Sequence, residues 1–412
     1  MSNETRDELP ADVRAEVDRQ KTELVRGAVN VISEAALEKK LVDSIRTGRP
    51  LRAKLGVDPT SSALHLGFTV VLNKLRTFQD LGHTAVLILG DATAMVGDPT
   101  GKNKTRPRLS HDEITKNAET YLEQAGKVLD VKKAEVRRNS EWLHALDFEG
   151  CVSLMARYTV ARMLERDDFD KRYKGQTPIY LHEFLYPLMQ GWDSVMVRSD
   201  VELGGTDQLF NLLVGRDLQE QEGQEPQVCI TTGLLVGLDG KLKMSKSYDN
   251  HVGISESADD IFTKVMRVDD SMMRDWFTLL TRVPIEEIDG VLADGVNPRD
   301  VKFRLAHTLA SMYHDDAAAD AAQARWLKEI SRKEIPDDLP EVPVSSGPIP
   351  VVDLVVAAFP EAFKSRGEIR RLIKGGGLSL GGQKLSDPQA EVTVEESTIL
   401  KAGKKNACRL IP

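Results

Sequence analysis

The sequence predicts an α/β protein: a doubly wound parallel sheet with a helical insertion, followed by an α-helical domain and a small α/β module. Three observations predict this architecture. Strand-like and helical runs alternate between residues 51 and 237, charged helical patterning fills residues 258–333, and a basic helix, glycine turn and short strand follow a proline-rich stretch at residues 336–350. With 412 residues, of which 41% are hydrophobic, the chain is long enough for two or three domains.

The expected boundaries follow changes in patterning. The N-terminal residues are helical and amphipathic, and closely spaced prolines indicate a semi-rigid linker before the last module. In chain order we expect an N-terminal helical extension (1–45), the sheet domain (46–237) with its insertion (about 150–195), a loop with two lysines and the helical domain (238–335), the linker (336–350) and the basic module (351–412).

Strands of the sheet are predicted at residues 51–57, 84–89, 134–138 and 227–235. Helical patterns and loops separate them, as in a parallel sheet built from βα units. Ligands of such sheets bind at the carboxyl ends of the strands. The residues that follow these runs are therefore expected to carry a functional site.

The lysine loop, residues 243–247 (Lys-Met-Ser-Lys-Ser), follows the last of these strands. It places Lys243 and Lys246 three positions apart in a glycine- and serine-rich segment. Burying two ammonium groups together is costly, so both should lie at the rim of the sheet, in a loop that is free to move and suits a polyphosphate. An ordinary solvated basic loop is the alternative for such a pair on its own.

The histidine turn, residues 56–68, follows the first strand, and its His65 and Gly67 begin a helix. A helix N-terminus offers backbone amides and a positive dipole end to an anion, and glycine lets a nucleotide approach the backbone. A third loop, residues 97–107, carries Lys102 and Arg106. Taken singly, the histidine is as often a capping or packing residue, and the third loop is more often a flexible basic surface.

Together, the histidine turn and the lysine loop resemble the two signature motifs of class I aminoacyl-tRNA synthetases, His-Ile-Gly-His and Lys-Met-Ser-Lys-Ser. Residues 180–193 and 200–208 look like the amino-acid-binding helix and the ribose-binding turn of bacterial tyrosyl-tRNA synthetases. The likeness runs from about residue 30 to the C-terminus and is closest to the branch with the full Lys-Met-Ser-Lys-Ser motif. It implies a Rossmann-like catalytic domain, an insertion that binds substrate and forms a homodimer, and a helical domain that reaches the tRNA anticodon.

The resemblance also implies ATP and L-tyrosine as substrates, Mg²⁺ accompanying the ATP, tRNA(Tyr) as the acceptor, and no dedicated metal site on the protein. The implied catalytic residues are Thr60, His65, Lys102, Arg106, Lys243 and Lys246. Those implied to bind tyrosine are Gly56, Asp58, Asp98, Tyr186, Gln190, Asp193 and Gln208. Those implied to bind ATP are His65, Gly67, Phe68, Gly204, Asp207, Met244, Ser245 and Lys246. Those implied to bind tRNA are Arg366, Arg370, Arg371 and Lys374.

The spacing of three of these residues is informative by itself. Tyr186, Gln190 and Asp193 stand at positions i, i+4 and i+7 and share one helix face. A buried carboxylate at Asp193 would accept a hydrogen bond from a phenol, and the other two side chains could bind an ammonium group. The alternative is an amphipathic helix with a polar solvent face.

No covalent nucleophile is needed on the protein, because the carboxylate of tyrosine can attack the α-phosphorus of ATP in line. Catalysis would then depend on positioning and charge stabilisation.

Two residues depart from the family pattern. Phe68 occupies the place of the second histidine of His-Ile-Gly-His, and a phenylalanine cannot donate a hydrogen bond. Lys54 stands where better-studied bacterial tyrosyl enzymes carry a tyrosine that contacts the substrate phenol. Because of Lys54, recognition of the substrate hydroxyl is expected to depend more on Asp193. Because of Phe68, the enzyme is expected to have reduced activity.

Charge and composition agree with the resemblance. The net charge is −9, yet residues 364–412 carry ten Lys or Arg and five Asp or Glu, a local charge of +5 that leaves −14 on the remainder. This distribution favours RNA docking at selected patches. Three widely separated cysteines suit neither a metal site nor a disulfide framework. We expect no membrane span or secretion signal and a cytoplasmic location.

The last module combines a basic helix, a glycine turn and a strand at residues 365–382 with a second basic cluster at residues 401–409. It resembles the small RNA-binding module first known from a ribosomal small-subunit protein and found at the C-terminus of bacterial tyrosyl synthetases. In that case Arg366, Arg370 and Arg371 would face phosphates. The alternative is a solvated basic face of a small α/β appendage.

Other functions remain open at this point. The tryptophanyl-tRNA synthetases share the fold and motifs, but they should lack the Asp193 acceptor and normally have no such C-terminal module. A catalytically impaired, synthetase-like RNA-binding protein is indicated only by Phe68. A small nucleotidyltransferase with a similar histidine turn would not need the helical and basic C-terminal domains.

Overall fold

The structure is a computed structural model that describes residues 9–60, 63–99, 110–328, 339–344, 347–403 and 406–412. The chain forms two compact units, Met1–Trp326 and Leu327–Pro412. Each unit has a hydrophobic core of its own.

In chain order, the elements of the first unit are α1 (Ala11–Val25), β1 (Ala28–Ile32), α2 (Glu34–Thr47), β2 (Arg52–Val57), α3 (Leu66–Asp80), β3 (Thr84–Leu89), α4 (Asp91–Val96), α5 (His111–Ala125), β4 (Glu135–Arg138), α6 (Ser140–Leu143), α7 (Phe148–Met155), α8 (Val160–Met163), α9 (Asp167–Lys174), α10 (Leu185–Val197), β5 (Val201–Gly205), α11 (Leu209–Gln221), β6 (Val228–Thr232), α12 (Ala258–Val265), α13 (Met273–Leu280), α14 (Ile285–Val291), α15 (Pro298–Tyr313) and α16 (Asp316–Trp326). Short 3₁₀ turns at Leu181–Phe184, Thr206–Gln208, Lys246–Tyr248 and Asp270–Met272 connect some of them.

Within the described part of this unit, six strands form one sheet in the order β1-β6-β5-β2-β3-β4. All neighbours are parallel except β1, which runs antiparallel to β6. The chain moves from β2 to β3 and β4 on one side and to β5 and β6 on the other. The carboxyl ends of β2 and β5 therefore form the switch point at which α/β sheets bind their ligands.

Strand β3 is apolar because helices cover both faces of the sheet there. In β3 every residue from Ala85 to Leu89 is buried, as expected for a parallel strand with both faces covered. Helix α3 buries Leu66, Val70, Leu75 and Phe78 against the same core. This packing holds the N-terminus of α3 at the end of β2, beside the switch point.

The strands predicted from sequence are present with small shifts at their ends. The sheet has two further strands: β1 lies inside the expected N-terminal helical extension, and β5 lies in the segment interpreted as a ribose-binding turn. Both have only five residues, and β5 contains Glu202 and two glycines, so β5 lacks the apolar pattern of a buried strand. Pairing with neighbouring strands stabilises them.

The helices of residues 258–326 share the core of the sheet. Phe262 of α12 and Trp276 of α13 are fully buried in the same hydrophobic cluster as Leu55 of β2. The expected separate helical domain is therefore packed into the first unit. No helix in the described residues is long and apolar enough to cross a membrane.

In the second unit, the elements are β7 (Glu341–Pro343), β8 (Ile349–Pro350), α17 (Val351–Ala358), α18 (Arg366–Lys374), β9 (Leu378–Leu380), β10 (Gln383–Leu385), β11 (Glu391–Val392), β12 (Thr398–Ala402) and β13 (Asn406–Ile411). Among its described residues, one sheet has the order β10-β9-β12-β13-β7 and another pairs β11 with β8. β7 and β8 lie within the expected linker at residues 336–350. There, backbone pairing with β13 and β11 makes the proline-containing segments part of this unit.

Candidate active site

A cavity of about 640 Å³ opens at the switch point of the sheet. It is lined by the histidine turn, the lysine loop, α10 and the end of β5. The predicted site residues that border it are Gly56, Asp58, Thr60, His65, Gly67, Phe68, Asp98, Tyr186, Gln190, Asp193, Gly204, Asp207, Gln208, Lys243, Met244, Ser245 and Lys246. Lys102 and Arg106 lie outside the described residues.

Backbone contacts join the histidine turn to the lysine loop and the segment after it. The amide of Leu66 donates to the carbonyl of Val252 at 2.9 Å, and the amide of Ile254 donates to the carbonyl of Leu64 at 3.2 Å. The amide of Gly67 donates to the sulfur of Met244 at 3.2 Å. A Cβ on Gly67 would lie 3.1 Å from the Met244 Cβ, so a side chain there would crowd this close approach. The two motifs thus face the same end of the cavity.

His65 is a neutral group at physiological pH. Burial lowers the pKa of its imidazole to about 4, and the nearby His251 and Lys246 act in the same direction. Its side chain is partly exposed and borders the cavity. His65 can therefore meet a ligand at this end of the cavity without carrying a charge.

The lysine loop presents exposed cations beside an acidic residue. Lys243 Nζ lies 3.7 Å from Asp207 Oδ2, and the side chain of Lys243 is 48% exposed. Partial burial lowers the pKa of Lys246. Because the contact with Asp207 is long and solvated, Lys243 is available to exchange this carboxylate for a phosphate group.

Asp58 is held by two hydroxyl groups at the centre of the cavity. The Thr93 hydroxyl donates to its Oδ1 at 2.7 Å, and the Tyr186 hydroxyl donates to its Oδ2 at 2.9 Å. A Cβ on Gly90 would overlap Asp58 Oδ1, so only glycine leaves room for this carboxylate. Burial and the Asp58 charge raise the pKa of Tyr186 well above its ordinary value, which keeps its hydroxyl a donor.

Asp98 lies between two donors from different elements. Arg166 Nη2 donates to its Oδ1 and Gln208 Nε2 donates to its Oδ2, each at 2.8 Å. Arg166 is only 4% exposed and also pairs with Asp168 at 2.9 Å. The carboxylate of Asp98 is thus fixed in position beside Gln208 and at the edge of the cavity.

Asp193 is a buried carboxyl group on α10 with donors from another part of the chain. Trp142 Nε1 donates to its Oδ1 at 2.8 Å, and Asn139 Nδ2 donates to its Oδ2 at 3.3 Å. Burial raises its pKa to about 7, against the opposing effects of Lys54 and of these two donors. Asp193 can therefore change between acceptor and donor near neutral pH.

Lys54 does not serve as a direct contact with the cavity. It is fully buried, and its Nζ donates to Glu202 Oε1 at 2.9 Å, to Ser194 Oγ at 2.8 Å and to the carbonyl of Gln190 at 2.9 Å. Gln190 Nε2 donates to the same Glu202 oxygen at 3.2 Å. The buried pair of Lys54 and Glu202 therefore supports Gln190 from beneath the cavity.

Residues 46–330, well over half of the chain, match the family described as tRNA synthetases class I (W and Y). The chain belongs to this family.

Curated relatives are similar over nearly the whole chain. The tyrosine--tRNA ligase of Symbiobacterium thermophilum is 50% identical over 96% of this chain and 98% of its own length. The tyrosine--tRNA ligase of Aquifex aeolicus is 49% identical over 93% of this chain and 96% of its own length. A tyrosyl-tRNA synthetase from Archaeoglobus fulgidus, solved with L-tyrosine, shares the fold, with a TM-score of 0.60 at 22% identity over 74% of this chain and 99% of that chain. The family and the α/β fold predicted from the sequence are confirmed.

Several polar residues of this synthetase were missed in the sequence. They are Thr93, Asn139, Trp142, Arg166 and Glu202, which contact predicted site residues through their side chains. Thr93, Asn139 and Trp142 had a local signal, because each closely follows a predicted strand, and Glu202 lies in the segment interpreted as a ribose-binding turn. All five contact partners that lie 12 to 68 positions away in the sequence, and no local pattern identifies those partners.

The predicted RNA contacts of this synthetase lie in the second unit. Four basic residues of α18 are exposed: Arg366, Arg370, Arg371 and Lys374. Ile369 and Ile373 are buried on the opposite face of the helix, so the basic face is turned outward. Arg366 forms an ion pair with Asp353 at 2.7 Å.

Proposed function

We propose that this synthetase activates L-tyrosine with ATP and then transfers the tyrosyl group to the 3′ end of tRNA(Tyr). The observation that carries the proposal is the shared cavity, in which a buried carboxyl group at Asp193 lies in one pocket with the histidine turn and the lysine loop. The names of relatives that are about half identical over nearly full length support tyrosine as the amino acid.

The polar groups of the cavity support one orientation for tyrosine. The phenol would meet Asp193, which Trp142 and Asn139 hold in place. The ammonium group would lie near Asp98 and the Tyr186 hydroxyl, which border the same cavity. The carboxylate of tyrosine then points toward the histidine turn, where ATP would bind.

In the first step, a carboxylate oxygen of tyrosine attacks the α-phosphorus of ATP. A new oxygen–phosphorus bond forms as the bond to the β-phosphate bridge breaks, which gives tyrosyl-adenylate and pyrophosphate. Charge that develops on the leaving phosphates would be stabilised by Lys243 and Lys246, together with Lys102 and Arg106 of the third loop. The neutral His65 would donate a hydrogen bond on the α-phosphate side. Mg²⁺ would arrive with the ATP phosphates.

In the second step, a hydroxyl of the terminal ribose of tRNA attacks the tyrosyl carbonyl and AMP leaves. The exposed basic face of α18 supports a role of the second unit in binding tRNA phosphates. A cytoplasmic location goes with this substrate.

We also propose that the protein works as a homodimer. Helix α7 exposes Phe148, Val152 and Met155 at positions i, i+4 and i+7, with exposed fractions of 82%, 44% and 42%. Leu181, which also belongs to the insertion, is 84% exposed. An apolar helix face of this kind is typical of a protein–protein interface. Light scattering of the parent and of Phe148→Glu would show a dimer that dissociates in the variant, and a monomeric parent would refute the proposal.

The function is tested by amino-acid-dependent ATP/pyrophosphate exchange with the purified protein. We expect exchange with tyrosine and none above background with phenylalanine or tryptophan. Exchange with tryptophan but not with tyrosine would overturn the assignment of tyrosine as the substrate. No exchange with any amino acid would favour the alternative of a catalytically impaired RNA-binding protein.

A further inference from the structure

Tyr121 is a buried tyrosine that borders the cavity and has no assigned role. It is 2% exposed, and its hydroxyl oxygen has no hydrogen-bond partner among the described residues. An unpaired buried hydroxyl is unfavourable, and native structures contain few of them. A hydroxyl in this position beside a ligand cavity therefore points to a partner that arrives with the ligand.

The neighbours of Tyr121 on α5 already hold the histidine turn. Asn117, Tyr121 and Gln124 stand at positions i, i+4 and i+7 and share one helix face. Asn117 Nδ2 donates to the carbonyl of Pro59 at 3.1 Å, and the amide of Leu64 donates to Gln124 Oε1 at 2.7 Å. Tyr121 lies between these two contacts, so the same helix face places its side chain at the turn.

The ring of Tyr121 packs against Phe68, the residue that departs from the family motif. The ring centroids are 5.4 Å apart and the planes meet at 86°, an edge-to-face contact. Phe68 cannot donate a hydrogen bond, whereas the adjoining Tyr121 has a hydroxyl group, and both residues border the cavity. Burial raises the pKa of Tyr121 well above its ordinary value, so the hydroxyl keeps its proton.

We propose that Tyr121 is an ATP-contacting residue whose hydroxyl donates to the adenosine part of the nucleotide in place of the donor that Phe68 lacks. The adenosine is favoured over the phosphates because Tyr121 packs on the apolar ring of Phe68, whereas the cations that border the cavity are the exposed lysines of the lysine loop. The inference rests on the proposed function, since it assigns a contact within the ATP site of that reaction.

The test compares purified full-length parent with Tyr121→Phe, which removes only the hydroxyl. We expect the KM for ATP in pyrophosphate exchange to rise about threefold to tenfold, the value of one hydrogen bond, while the KM for tyrosine stays within twofold. Without ligand, the melting temperature should stay equal or rise, because an unpaired buried hydroxyl is removed. The melting-temperature increase on adding ATP should become smaller.

Two further variants separate a contact from a packing effect. In Tyr121→Phe, the added change Phe68→His should restore the KM for ATP, since the imidazole supplies a donor at the same wall. Tyr313→Phe is the matched control: this buried hydroxyl donates to Thr69 Oγ1 at 3.0 Å in the same core and does not border the cavity. It should lower the melting temperature and leave the KM for ATP unchanged.

The outcomes distinguish this inference from the proposed function. The role of Tyr121 would be overturned if Tyr121→Phe keeps the parent's KM for ATP. It would also be overturned if the KM values for ATP and tyrosine rise equally and the melting temperature falls. Neither result would affect the proposed function. A parent without tyrosine-dependent exchange would instead contradict the proposed function.

Discussion

At the scale of single residues, we propose that substrate choice depends on Asp193. Burial opposes its ionisation, whereas Trp142, Asn139 and the nearby Lys54 favour the carboxylate, and the result is a pKa of about 7. Its place on the helix face with Tyr186 could be predicted from spacing alone. Its donors could not, because Trp142 and Asn139 are 51 and 54 positions away and carry no motif.

Tyrosine binding should depend on pH through this group. In the proposed binding mode the carboxylate accepts the phenol hydrogen, and the protonated form would do so less well, so the affinity for tyrosine should fall as the pH drops below about 7. Equilibrium titration with tyrosine between pH 5.5 and 8.5 should show a plateau at the alkaline end and a decline toward tenfold per pH unit at the acid end. An affinity that is constant over this range in the parent would contradict the assignment.

The stability of the fold should also depend on the protonation of Asp193, but it should change with pH in the opposite direction to tyrosine affinity. Because the folded pKa lies above the unfolded value of 3.8, the folded state binds the proton more tightly, and this carboxyl favours folding less as the pH rises from about 4 through about 7. Asp193→Asn keeps an acceptor for Trp142 and removes the charge. Urea unfolding should find the variant more stable than the parent by about 1–3 kcal/mol at pH 8, with little difference at pH 4. An equal difference at both pH values would exclude the titration of Asp193 as its cause.

At the scale of elements, β2 and β5 position the site. Lys54 and Glu202 are partners in the parallel register of these strands, and their side chains form a fully buried ion pair. The alternating pattern of residues 51–57 made β2 predictable, whereas Glu202 and the glycines of β5 concealed that strand. The ends of both strands then carry Gly56 and Gly204 to the cavity.

Breaking this pair should destabilise the fold strongly. Lys54→Met leaves Glu202 buried without its cation, which typically costs about 3–5 kcal/mol, and adding Glu202→Gln should recover much of the loss. Lys39→Met is the matched control, because the ion pair of Lys39 with Glu225 is exposed and should contribute less than about 1 kcal/mol. Urea unfolding measures all three variants, and a stable Lys54→Met single variant would show that the pair does not hold the strands.

At the scale of the whole molecule, the chain divides its charge and its cores between two units. The first unit has the cavity and most of the negative charge, and residues 364–412 of the second carry a net charge of +5. The proline-rich segment at residues 336–350 was expected to be a linker, but it belongs to the second unit, where two parts of it pair as strands. Backbone pairing of this kind is not visible in local composition.

Ending the chain after residue 335 should separate the two steps of the reaction. The first unit keeps its own core and the complete cavity, so pyrophosphate exchange should stay within about twofold of the parent. Charging of tRNA should fall at least tenfold in kcat/KM, because phosphate contacts are lost. The control for the truncation is the full-length double variant Arg370→Ala with Arg371→Ala. Its kcat/KM for tRNA charging should also fall, but by less than in the truncated chain. Equal losses of exchange and charging would refute this division.

The central claim is that one cavity joins a phenol-selective carboxyl group to a site for ATP phosphates. Pyrophosphate exchange by the parent and by Asp193→Ala, each with tyrosine and with phenylalanine, tests it most directly. We predict that the parent strongly prefers tyrosine and that the variant loses most of this preference while retaining ATP-dependent exchange. A variant that still rejects phenylalanine as well as the parent does would contradict the account.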